Sequence, residues 1–111
     1  MGLIRFNEFA PAHNELAELC RLLGHPARLA IIELLLSAPQ GLTVSDFVEA
    51  LPLTQSTVST HLKELRRIGL IGTEVDGRYA VCRLDVNRFN YYSKKLGLFF
   101  GPVRQKPSRS G

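Results

Sequence analysis

From residue 54 to residue 63 the chain reads Thr-Gln-Ser-Thr-Val-Ser-Thr-His-Leu-Lys, a run of hydroxyls and one amide with two apolar positions. Such groups do hydrogen-bonding chemistry, not bond-breaking chemistry. Hydroxyls reach phosphates or base edges, and a primary amide such as Gln55 can grip adenine through two bonds. At helical spacing Val58, Leu62 and Leu65 form an inward stripe that Ile68 extends. That stripe leaves Gln55, Ser56, Ser59 and Thr60 on the outward face, with His61 and Lys63 further along, where phosphate contacts are expected. Thr54 precedes the helix as its cap, and Lys63, Arg66 and Arg67 give it a basic exit. The candidate contacts to nucleic acid are Thr54, Gln55, Ser56, Thr57, Ser59, Thr60, His61, Lys63, Arg67 and Arg78. The same run also reads as a capped helix start with a solvated face, so its neighbours in the chain must decide.

Covalent chemistry finds little support. The three histidines fall in separate elements, no Gly-rich phosphate loop exists, and no nucleophile adjoins a motif that would activate it. An enzyme is therefore not expected, nor is a cofactor. Cys20 and Cys82 match no zinc spacing and are too few for a disulfide framework. Both are expected to be buried thiols acting as small hydrophobes.

The elements around the hydroxyl run are legible in order. A helix over about His13 to Leu23 carries Leu16, Leu19, Cys20 and Leu23 at i, i+3, i+4 and i+7, and Gly24 is expected to end it in the left-handed conformation. His25-Pro26 starts a second helix, whose run Arg28 to Leu36 is apolar on nearly all sides and is expected at the centre of the core. The cluster Ser37 to Gly41 breaks the chain. Thr43 and Asp46 then open a short helix with a capping-box start, and Phe47, Val48 and Leu51 point inward. Only Pro52, Leu53 and Thr54 separate it from the helix of the hydroxyl run, the tight connection of a helix-turn-helix. Asp76-Gly77-Arg78 lies between the β-prone runs Leu70 to Val75 and Tyr79 to Leu84, a hairpin signal that sets Arg78 at the tip. Leu84 is the expected core anchor of the second run, with Cys82 on the same face. A last helix spans about Val86 to Phe100, and Gly101-Pro102 ends it. The fold class is mainly α with a small β-hairpin, a winged helix-turn-helix of order α-α-α-α-β-β-α.

Length and charge agree with one nucleic-acid-binding domain. The 111 residues carry a net charge of +4, unevenly spread. Residues 1–50 hold three Lys/Arg against six Asp/Glu, and residues 51–111 hold eleven against four. A basic half of this kind suits a polyanion. The expected division is an extension over 1–12, a DNA-binding and dimerisation domain over 13–100, and a disordered basic tail over 101–111 containing Arg104, Lys106 and Arg109. No apolar run is long enough to span a membrane and the start lacks signal-peptide order, so a cytoplasmic protein is expected.

Leu23-Gly24-His25-Pro26-Ala27-Arg28-Leu29, followed by Ile31-Ile32-Glu33-Leu34-Leu35, resembles the opening signature of the ArsR/SmtB winged-helix repressors. Leu53 to Leu65 is similar to that family's recognition helix, and Arg67 to Ile71 with Asp76-Gly77-Arg78-Tyr79 resembles its wing. The resemblance covers about Leu16 to Phe100. It implies a homodimer built from the first and last helices that binds double-stranded operator DNA and represses transcription until a signal releases it. Leu16, Leu19, Leu23, Phe89, Tyr92, Leu96 and Phe99 are the expected dimer contacts. Metal-sensing members carry Cys-Val-Cys in the short helix; here Thr43 and Ser45 stand at the corresponding places, and hydroxyls do not replace thiolates for a soft metal. The last helix also lacks the histidine that other metal-sensing members use, so no metal site is expected and the effector stays unidentified. Alternative readings are a winged-helix module that docks on protein, or a redox repressor pairing Cys20 with Cys82.

Overall fold

The computed structural model describes residues 9–103, so the expected tail over Arg104, Lys106 and Arg109 and the first eight residues lie outside the described residues. Within them the chain forms α1 (Pro11–Leu23), α2 (Pro26–Leu36), α3 (Val44–Ala50), α4 (Gln55–Arg67), β1 (Ile71–Asp76), β2 (Tyr79–Leu84) and α5 (Val86–Phe100). This is the winged helix-turn-helix order expected from the sequence.

Local chemistry sets most of the boundaries. Pro11 and Pro26 begin their helices in the first turn, where the missing N–H is not needed. The Thr43 hydroxyl accepts from the Asp46 amide while the Asp46 carboxylate accepts from the Thr43 amide, a complete capping box for α3. Asp85 caps α5 by accepting from the Arg88 amide at 2.9 Å. At the end of α4, Leu70 N–H donates to Leu65 O and Gly69 N–H to Arg66 O, the paired bonds of a Schellman motif. Gly24 departs from expectation: its φ is −73°, so no left-handed turn ends α1. A side chain there would press on Cys20 O at 3.2 Å, and Pro26 starts the next helix two residues on.

The core gathers Leu19 from α1, Ile31, Ile32 and Leu35 from α2, Phe47 from α3, Val58, Leu62 and Leu65 from α4, then Leu70, Ile71, Cys82 and Tyr92. Phe47, Ile31, Val58 and Leu65 are wholly buried. α2 is central but not covered all round, because Leu29 and Leu36 are each 52% exposed. In β2 the deepest residue is Cys82, at 4%, while Leu84 is half-buried and Ala80 exposed. Cys82 sits deepest because it pairs on both sides. Thr73 of β1 faces it in the hairpin, and Leu42 forms a bridge on the other edge with N–H to O distances of 2.9 and 2.8 Å. Gly41 permits that bridge: its φ is +91°, and a Cβ there would fall 2.3 Å from Val81 Cγ1.

Candidate nucleic-acid interface

α3 and α4 pack against each other across Pro52, Leu53 and Thr54, and Phe47, Val58 and Leu62 lock the pair to the core. The Thr54 hydroxyl accepts from the Thr57 amide at 3.3 Å and so fixes where α4 begins. With Val58, Leu62 and Leu65 inward, the row Ser56, Ser59, Thr60, Lys63 and Arg67 follows i, i+3, i+4, i+7 and i+11 on the opposite face, all exposed. Gln55 is exposed at the first turn beside them.

The polar groups differ in what they are free to do. Thr54 donates to Thr57 Oγ1 at 2.9 Å, and Thr60 donates back to Ser56 O at 3.0 Å. These hydroxyls keep lone pairs for accepting but have committed their protons. Gln55, Ser59, Lys63 and Arg78 make no side-chain hydrogen bond or ion pair among the described residues, so their full capacity faces outward. Arg67 pairs with Glu64 at 2.8 Å yet keeps its place on the outward row. Arg66 leaves the expected basic exit for a support role: it donates to Thr73 Oγ1 at 2.8 Å and ties the end of α4 to β1.

His61 requires a correction. It is 6% exposed and lies on the inward stripe, so it is not presented beside Lys63 as the sequence reading expected. Its Nδ1 accepts from Arg28 Nε at 3.1 Å, and its ring meets the His25 ring edge-on with centroids 4.4 Å apart. Burial and the nearby positive charges of His25 and Arg28 push its pKa down. Residue type misled here, since a histidine among hydroxyls reads as solvated when three-residue spacing from Val58 already points it inward.

The hairpin stands beside the end of α4. Its register runs from Ile71 opposite Leu84 to Asp76 opposite Tyr79, leaving Gly77 and Arg78 as a two-residue loop. Gly77 has φ +63° and Arg78 does not go positive, the pattern of a type II′ turn. Arg78 is thereby held at the exposed tip. Arg83 braces the base of the hairpin through Glu74 across the strands and through Gln40 O at 3.2 Å.

The expected dimer contacts divide in two. Leu19 at 2% and Tyr92 at 9% already belong to the chain's own core, with the Tyr92 hydroxyl donating to Ile68 O at 2.8 Å, so they are not free for a partner. Leu16, Leu23, Phe89 and Leu96 are half-buried, and Phe99 is 61% exposed. Leu98 and Phe100, absent from the sequence reading, are exposed at 75% and 69% beside Phe99. A cavity floored by Leu16 and Leu19 opens between α1 and α5 under Leu98 and Phe99.

The two cysteines do not behave alike. Cys20 is exposed on α1, against expectation, because the apolar stripe of α1 is wider than the face the core covers. Cys82 is buried, and burial pushes its thiol up to about 11. A thiol so hard to ionise is a poor nucleophile. His13 lines a groove with Cys20 while His25 packs on His61, and no group of three His, Cys, Asp or Glu side chains among the described residues is arranged to hold a metal.

Residues 25–73, from the start of α2 to the first strand, match the family model described as bacterial regulatory protein, arsR family. Over that stretch the chain resembles the ArsR-family regulators. Its fold is similar to that of an ArsR-like transcriptional regulator from Rhodococcus sp. RHA1, with TM-score 0.69 and 23% identity over 81% of this chain and 83% of that one. HlyU from Vibrio cholerae N16961 is similar at TM-score 0.65 and 25% identity, over 82% of this chain and 98% of that one. MepR, a transcription regulator of the Staphylococcus aureus multidrug efflux pump MepA, is similar at TM-score 0.60 and 26% identity, over 79% and 67%. No curated protein matches the chain. The matching family model and these similar structures are those of transcriptional regulators. Thr43 is committed to the capping box and Ser45 is exposed, so hydroxyls stand at both of the places compared with thiolates above. No helix among the described residues is long and apolar enough to cross a membrane.

Proposed function

We propose that the protein is a homodimeric, sequence-specific repressor that lays α4 in the major groove of operator DNA and is released by a signal other than a metal. The observation that carries this reading is the outward row of α4. Gln55, Ser59 and Lys63 project from a helix held rigidly by its inward stripe, and none of the three is satisfied within the described residues. Gln55 and Ser59 read base edges near the helix start, Ser56, Thr57 and Thr60 add acceptors, and Lys63, Arg67 and Arg78 hold phosphates on either side. Residues 13–100 act as the DNA-binding and dimerising unit. The apolar surface of α1 and α5 is the seam: Phe99, Leu98 and Phe100 are too exposed and too close together for a surface meant to face only water.

The test is a binding titration on duplexes selected from a random pool. The double variant Gln55→Ala/Ser59→Ala is expected to lose preference for the selected site, with Gln55→Ala alone costing about 1–3 kcal/mol if its amide grips a base. Residual binding to unrelated duplex stays unchanged. Equal affinity of wild type and double variant for the selected site removes α4 from the groove.

A further inference from the structure

Arg28 is the hub of three helices. From α2 its Nη1 donates to Leu22 O at the end of α1, at 3.1 Å, while its Nε donates to His61 Nδ1 on α4, also at 3.1 Å. His61 is the buried polar side chain of α4, one turn after Val58 and one turn before Leu65 on the stripe that sets the rotation of that helix. We propose that Arg28 and His61 are positioning residues for the DNA-reading helix, and that the pair holds α4 in its reading pose only while the His61 ring is neutral. This rests on the DNA-binding reading above and adds a proton as the ligand that opposes it.

The geometry dictates the sign. In the neutral ring Nδ1 is the acceptor, so the ring's proton sits on Nε2. A second proton must go to Nδ1, the atom that faces Arg28 Nε–H, and two donors then confront each other. The groups whose charges act on the ring are His25 and Arg28, both of which oppose a positive His61. Glu64 on α4 pairs with Arg67 and Glu18 on α1 with Arg21, and neither is among the charges that act on the ring. At 6% exposure little of the imidazolium would be solvated in place. Protonation therefore breaks the Arg28 bond and shifts α4, with Gln55, Ser59 and Lys63 moving along with it. Acidification strengthens most protein–DNA contacts by adding positive charge. Here it weakens the specific one.

The experiment compares wild type with His61→Asn, whose side-chain oxygen can take the Arg28 bond and never protonates, on the selected duplex between about pH 7.5 and pH 5.5. Wild-type affinity is expected to fall about two- to fourfold by the acid end of that interval, the most a ring titrating below the ordinary histidine range allows there, while His61→Asn holds its neutral-pH affinity. Identical pH profiles for the two proteins overturn the proposal. Nuclear magnetic resonance on the DNA-free wild type gives a second readout that does not depend on the variant folding. The His61 ring is expected to titrate below the ordinary histidine range, and α4 amide signals to move with it. A ring that titrates like a free histidine, or α4 signals that ignore the titration, also overturns it. If no duplex is bound at any pH, the functional reading fails, and the resonance titration still judges the Arg28–His61 pair.

Discussion

Thr73 and Leu42 flank Cys82 on its two sides, and the thiol's raised pKa is a statement about stability as well as reactivity. The unfolded chain ionises this thiol near 9 and the folded chain only near 11. The folded state therefore holds its proton more tightly, and the stabilisation is full below about pH 9 and is lost as pH rises towards 11. Thermal unfolding followed by circular dichroism is expected to show a falling midpoint over that window, and Cys82→Ala is expected to flatten this part of the profile. His61 runs the other way, contributing fully above the ordinary histidine range and less as the solution turns acid. Residue types and spacing showed the inward stripe of α4 but not His61 within it, because polarity argued outward while periodicity argued inward. Cys20 failed for the reverse reason: an apolar stripe promised burial that the core does not reach.

Elements with local signals were the most legible. The capping box of α3, the proline that opens α2, the cap of α4 and the hairpin turn are all written within a few residues of where they act, whereas the Pro11 start of α1, two residues before the expected His13, was missed. What was not legible joins distant segments: the Leu42–Cys82 bridge, the Arg66–Thr73 tie and the Arg28–His61 bond depend on tertiary placement that no short window encodes. The first two of these ties anchor the hairpin to Leu42 and to the end of α4, and in the proposed function Lys63 and Arg78 hold a single duplex. Lys63→Ala and Arg78→Ala are each expected to weaken binding to all sequences alike and to reduce the slope of log affinity against log salt by about one. A loss confined to one base position, with the slope unchanged, would make either residue a base reader.

For the whole molecule, the proposed function depends on pairing, since one α4 would cover only half of a two-fold operator. Leu19 and Tyr92 are spent on the chain's own core, so the proposed seam rests on Leu16, Leu96, Leu98, Phe99 and Phe100. That seam was only partly legible, because which apolar residues a chain keeps for itself is settled by packing and not by pattern. Two chains joined there are expected to present their α4 helices about 34 Å apart, one turn of duplex. The most direct measurement is affinity for a selected near-palindromic site before and after inserting about five base pairs, half a turn, between its halves. The account predicts that the insertion reduces binding to the level of unrelated DNA, because the second helix then faces the wrong side of the duplex. Undiminished affinity across the insertion would contradict it.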